Sequence, residues 1–305
     1  MRRNLLATFV LSFVFSAAAI SADLPPALSH MEALAGDEQR LAAAVRDFDR
    51  QQCRLAQWDM DLAEELAMAG DKDLAQETME RAKDRLTMVQ QAYNYVLERY
   101  PDNGRALTYY AELLYDYQGD HAKAIMLWKK ASALYPELSE PLNNLALHYC
   151  HTGDLSMGLA YFDKALKLEP NHPDYLFNLC QIYLTHFPEV AKRNKWSLKK
   201  VYRTAMKMSK KAAELSNEYE LIQDYAVNFF AAQNFQLEAD WREAARAWQW
   251  ARQKARTTDE EFYTWLNEAR VWIADGNKAK ARECLDAALA IRPGNDVATN
   301  LLSKL

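Results

Sequence analysis

The chain has 305 residues, half of them hydrophobic and 26% charged, which is enough for a large buried core and excludes bulk disorder. With only 8 Gly and 9 Pro it lacks the turn residues that a β-rich fold needs, and its abundant Ala, Leu, Glu and Lys favour helices. The formal net charge of −5 disfavours nucleic acid as a partner.

Taken from the start, Arg2 and Arg3 precede an apolar run from Leu5 to Ile20, and small residues follow up to Ala22. This three-part layout predicts a secretory signal peptide over 1–22, cleaved after Ala22 or after Ala19. The apolar run is short for a membrane span, and no other stretch is long enough, so the exported chain is not expected to be an integral membrane protein. The short basic start and strongly apolar middle fit Sec export, and no Cys near the cleavage point offers a lipid anchor. A periplasmic or secreted location is therefore expected. Cys53, Cys150, Cys180 and Cys284 form no CxxC pair, so neither zinc nor redox chemistry is indicated, and they read as buried free thiols.

Residues 23–104 read as a linker followed by a long helical hairpin. Apolar residues recur at Leu41, Val45, Phe48, Leu55, Leu62 and Leu66, and after Gly70-Asp71 at Ala75, Met79, Ala82, Leu86, Val89, Tyr93, Val96 and Tyr100. The second set steps alternately by four and three, as one seam of a long helix does. Tyr93, Val96 and Tyr100 are expected to pack on the element that follows.

From residue 105 the sequence repeats. Gly119-Asp120 recurs as Gly153-Asp154, Ala131 as Ala165 and Pro136 as Pro170, each after 34 residues, and Gly276 and Pro293 keep the internal spacing near the end. Each unit reads as a helix, a tight turn and a second helix. Gly supplies the left-handed backbone that ends the first helix, Asp caps the second, and Pro closes the unit. Small residues at Ala124, Ala131, Gly158 and Ala165 allow close helix approach. One such pair cannot bury its own apolar face, so neighbouring pairs must stack.

The pattern resembles the tetratricopeptide repeat family. In 139–172 Leu142, Leu145, Ala146, Tyr149, Gly158, Phe162, Ala165 and Pro170 stand at the family's signature places. Segment 105–138 matches through Tyr115, Gly119, Ala124, Trp128, Ala131 and Pro136, departing at Ala111 and Glu112. Residues 258–305 hold a further repeat, carried by Trp265, Ala269, Trp272, Gly276, Ala281, Ala288 and Pro293, and a short capping helix. Two units are degenerate: 173–217, with an insertion from Thr185 to Ser197, and 218–257. The fold expected is all-α, a right-handed tetratricopeptide-repeat solenoid with an N-terminal hairpin and a C-terminal cap.

The resemblance also implies a groove lined by the first helices. The groove places hold Tyr109, Leu113 and Tyr117 in the first unit and Asn143, Leu147 and His151 in the second. They hold Phe177 and Gln181 in the third unit and Phe229 and Gln233 in the fourth. This aromatic and apolar set suits a peptide or protein partner. The Lys–Asn–Arg clamp by which some family members hold C-terminal carboxylates is absent, since Tyr109, Leu113, Asp174 and Asn178 occupy most of its places and Asn144 alone agrees.

A separate basic patch comprises Lys192, Arg193, Lys195, Lys199, Arg203, Lys207 and Lys211, in a run without an acidic residue. It suggests an alternative reading, docking on anionic lipid or envelope polymer. The acidic run Asp59, Asp61, Glu64, Glu65, Asp71, Asp73, Glu77 and Glu80 offers an internal partner for it. His148 and His151 share one helix side but want a third ligand, so no metal site is expected. No phosphate loop, GxSxG or HExxH occurs, and neither a cofactor nor catalytic residues are expected. The reading is a non-enzymatic protein-interaction scaffold of the bacterial envelope or secreted space.

Overall fold

A computed structural model describes residues 26–305, and every described element is helical. The signal peptide expected at 1–22 lies outside the described residues. The chain forms two compact units that divide between His148 and Tyr149. No helix among the described residues is long and apolar enough to cross a membrane.

The first unit opens with a short 3-10 helix, Pro26–Leu34, and the hairpin of α1 (Glu38–Met68) and α2 (Lys72–Arg99). Asp37 starts α1 by accepting the Arg40 amide at 3.0 Å, and Asp71 starts α2 by accepting the Leu74 amide at 3.3 Å. Between the helices Gly70 takes φ 92°, a left-handed conformation that few other residues adopt. α2 buries Ala75, Ala82, Leu86, Val89, Tyr93 and Val96, the seam expected from its spacing. α1 differs from expectation. It buries Leu41, Val45, Ala56 and Ala63 together with Asp49 and Asp59, while Leu62 is 43% exposed.

The two buried carboxylates are matched by cross-helix donors. Asp59 accepts Arg81 at 2.7 Å and Arg85 at 2.8 Å, both from α2. Asp49 accepts the Tyr93 hydroxyl at 2.7 Å, Arg46 at 2.6 Å and the Cys53 thiol at 3.0 Å. Paired in this way, the charges avoid most of the several kcal/mol that an isolated buried carboxylate costs. The acidic run expected to face the basic patch is in part consumed here, since Asp59 serves Arg81 and Arg85 and Glu80 pairs with Lys83 at 2.6 Å.

Next come α3 (Gly104–Leu113), a π-helical turn at Leu114–Gln118 and α4 (His121–Leu134). Gly119 sits between them at φ 68°, and Asp120 accepts the Lys123 amide at 3.1 Å. Trp128 is fully buried and donates to the Thr108 carbonyl at 3.1 Å. Ala124 and Ala131 have no exposed surface, so α3 and α4 approach closely. The hairpin joins this pair through Tyr93, whose ring stacks on Tyr110 at 5.8 Å.

The division between the units falls within α5 (Glu140–His151). The second unit holds α6 (Leu155–Leu168), α7 (Pro173–Thr185), α8 (Phe187–Asn194), α9 (Leu198–Ser216), α10 (Tyr219–Val227), a 3-10 turn at Asn228–Phe230 and α11 (Ala231–Asn234). It ends with α12 (Trp241–Lys254), α13 (Thr258–Ala274), α14 (Lys278–Ile291) and α15 (Asp296–Ser303). The insertion between Thr185 and Ser197 is the helix α8, anchored by fully buried Phe187, whose ring stacks on Phe235 at 3.9 Å. Asp154, Asp240 and Asn277 each cap the second helix of a pair, and Thr257 with Glu260 forms a reciprocal capping box at α13.

Trp248, Ala244 and Ala251 of α12 are fully buried in a core shared with α13 and α14. Glu268 is buried there and satisfied by Arg252 at 2.7 Å, Gln249 at 2.6 Å and the Trp272 indole at 3.2 Å. All four cysteines are free thiols, and burial pushes those of Cys150, Cys180 and Cys284 up to about 12, so each stays protonated.

Candidate functional site

The first helices do not present the whole of the expected aromatic face. In the first unit Leu113, Asn143 and Leu147 are buried. The reason is local packing. Tyr109 lies beneath Arg46 of α1, whose guanidinium stands 3.6 Å from the ring centroid. The same guanidinium pairs with Asp49 at 2.6 Å and Glu112 at 3.3 Å, and Glu112 accepts Asn144 at 2.9 Å. The hairpin thus lays a charged network over the inner face of α3. Tyr117 is half-buried.

In the second unit His151 and Gln233 are exposed. Phe177 packs against a small core of Leu176, Ala212 and Leu221, and Gln181 donates to Asn228 at 3.4 Å. Phe229 behaves differently. Its helix tightens at Asn228, whose side chain donates to Ser209 at 3.0 Å, and the Phe229 carbonyl accepts the Tyr202 hydroxyl at 3.3 Å. These bonds to α9 hold the 3-10 turn and direct Phe229 into a cleft between α9 and α12.

That cleft has a volume of about 870 Å³, within the range of ligand-binding sites. Buried Tyr202, Tyr225 and Phe229 form its floor with Met206 and Leu237, and exposed Lys199, Arg203 and Lys207 stand along its α9 side. The opposite side carries Glu238, Asp240 and Glu243. Asp240 accepts the Glu243 amide at 2.9 Å as the cap of α12. Glu243 accepts Lys210 at 2.9 Å across the cleft, Tyr225 at 3.1 Å and Arg246 as well, and the Lys210 bond leads in holding its carboxyl down at about 2. Lys199, Arg203 and Lys207 make no ion pair among the described residues. Two sets of residues that the sequence kept apart, Phe229 of the first-helix face and three members of the basic run, therefore share one site. Lys192, Arg193 and Lys195 lie on α8 and its end and do not line it, while Lys211 donates to the Pro170 carbonyl at 3.3 Å.

His148 and His151 join no group of three or more metal-ligating side chains among the described residues. His148 instead lies 3.2 Å from the Tyr115 hydroxyl.

Residues 139–172 match the model of the tetratricopeptide repeat family. No curated protein matches the chain in sequence. Among solved structures it is similar to PilW, a widely conserved type IV pilus biogenesis factor, at 17% identity and TM-score 0.52, over 81% of this chain and 98% of that one. It is similar to YrrB, described as having an unusual peptide-binding site, at 18% identity and TM-score 0.51, over 71% of this chain and all of that one. The C-terminal part of a repeat protein from Cytophaga hutchinsonii gives 17% identity and TM-score 0.51, over 90% of this chain and 99% of that one. At these identities the likeness speaks for the fold. Successive capped helix pairs and close approach at fully buried alanines, with the matched repeat at 139–172, give this chain an all-α tetratricopeptide-repeat fold.

Proposed function

We propose that this chain is an exported scaffold that binds a partner protein, and that the partner's principal contact is the cleft between α9 and α12. The observation that carries the reading is the convergence of buried Tyr202, Tyr225 and Phe229 with unpaired Lys199, Arg203 and Lys207. Aromatic side chains in a desolvated pocket supply most of the energy of protein interfaces, and flanking charges speed encounter and set register. Stacked helix pairs act by presenting surfaces, which fits a binding role better than a catalytic one. The layout of residues 1–22 supports action outside the cytoplasm, in the envelope or the secreted space.

A photo-crosslinking residue at Glu238, on the rim of the cleft, tests this in the native cell. Irradiation is expected to yield protein adducts from that position and none from Met126, which is exposed on α4. Adducts from Met126 with none from Glu238 would overturn the reading.

A further inference from the structure

The occupant of this cleft can be specified further, given that the cleft is the docking site. We infer that it takes an extended acidic segment in which carboxylates alternate with apolar side chains. Charge complementarity is the first argument. Lys199, Arg203 and Lys207 are exposed and unpaired on one side, whereas on the other Glu243 is already paired with Lys210 and Arg246, which leaves Glu238 and the helix-capping Asp240 as the opposing charges, fewer than the cations.

The second argument is spacing. Lys199, Arg203 and Lys207 follow one another every four residues on α9, so they stand about 6 Å apart and span about 12 Å. In an extended chain the side chains on one face repeat every two residues, about 6.7 Å apart. Three carboxylates at alternate positions therefore meet the three cations in register. The intervening side chains project away from the cations into a cleft whose lining includes Tyr225, Phe229 and Leu237. A lipid surface fits less well, because a flat array of headgroups does not reach buried Phe229 and Tyr225. The site lies between the second helices α9 and α12, with Tyr225 and Phe229 contributed by the intervening first helix and its 3-10 turn.

The test is fluorescence anisotropy of the full exported chain with a labelled nine-residue peptide alternating Asp and Leu. It is expected to bind about tenfold or more tighter than a peptide of the same composition with its Asp residues in one block, and than a version with Lys for Asp. Arg203→Gln is expected to weaken binding about fivefold, and Lys199→Gln, Arg203→Gln and Lys207→Gln together about thirtyfold or more. Lys192→Gln with Arg193→Gln, which removes the same sign of charge outside the cleft, is expected to change it less than about twofold. Equal binding of the blocked peptide, or an equal loss from the Lys192 and Arg193 pair, would overturn the inference. So would displacement of the peptide by phosphatidylglycerol vesicles. If crosslinks from Glu238 still capture a protein and the alternating peptide does not compete with them, the partner class is wrong while the docking site stands. If no crosslink forms, both fall.

Discussion

The Arg46 guanidinium lies 3.6 Å from the centre of the Tyr109 ring and turns its other edge to Asp49 and Glu112. One side chain of the hairpin thus covers an aromatic residue that the repeat pattern assigns to an open groove, and it also neutralises a buried carboxylate. Arg46→Met is expected to keep the stacking stem and lose the charge, leaving Asp49 with only Tyr93 and Cys53. Breaking a buried pair costs about 3–5 kcal/mol, and the partial exposure of Arg46 reduces this to about 2–3 kcal/mol. A urea midpoint unchanged from the parent would show that the network carries no stability.

Glu243 ties α9 to α12, and acid should loosen that tie. Its carboxyl is held at about 2 by Lys210, Arg246 and Tyr225, below its ordinary range. A folded-state value lower than the unfolded one contributes stability above the unfolded pKa and loses it as pH falls through the folded pKa. Glu243→Gln is therefore expected to be less stable than the parent at neutral pH, and the gap should narrow between about pH 5 and pH 2. Denaturant midpoints of both proteins across that window check it; a gap independent of pH would remove Glu243 from the account.

Ala131 and Ala165 are fully buried where paired helices meet. Ala131→Trp or Ala165→Trp is expected to cost about 3 kcal/mol or more, because inserted bulk has no space to occupy and forces the helices apart. Thermal melting of each variant reads this, and an unchanged midpoint would show the helix register to be wrong.

Expression with the complete N-terminus in a bacterial host is expected to give an exported product whose first residue is Asp23 or Ile20. Mass spectrometry of the purified chain decides between the two. A product that keeps Arg2 and Arg3 and stays in the cytoplasm would overturn export.

What the sequence determined by itself is what depends on neighbours along the chain. Gly119, Gly153 and Gly276 end helices, Asp120 and Asp154 start them, and apolar spacing marks the buried faces of α2 and α4. These follow from backbone sterics and helical period, which act over a few residues. Tertiary structure alone decided the rest. Asp49 and Asp59 break the apolar pattern of α1 and are buried because Tyr93, Arg81 and Arg85 reach them from α2. The insertion became the helix α8 because Phe187 finds Phe235, far along the chain. Phe229 joined the basic stripe because Tyr202 and Ser209 of α9 bond the turn that carries it. Such pairings join residues whose separation has no fixed period, so their partners exist only once the helices have packed.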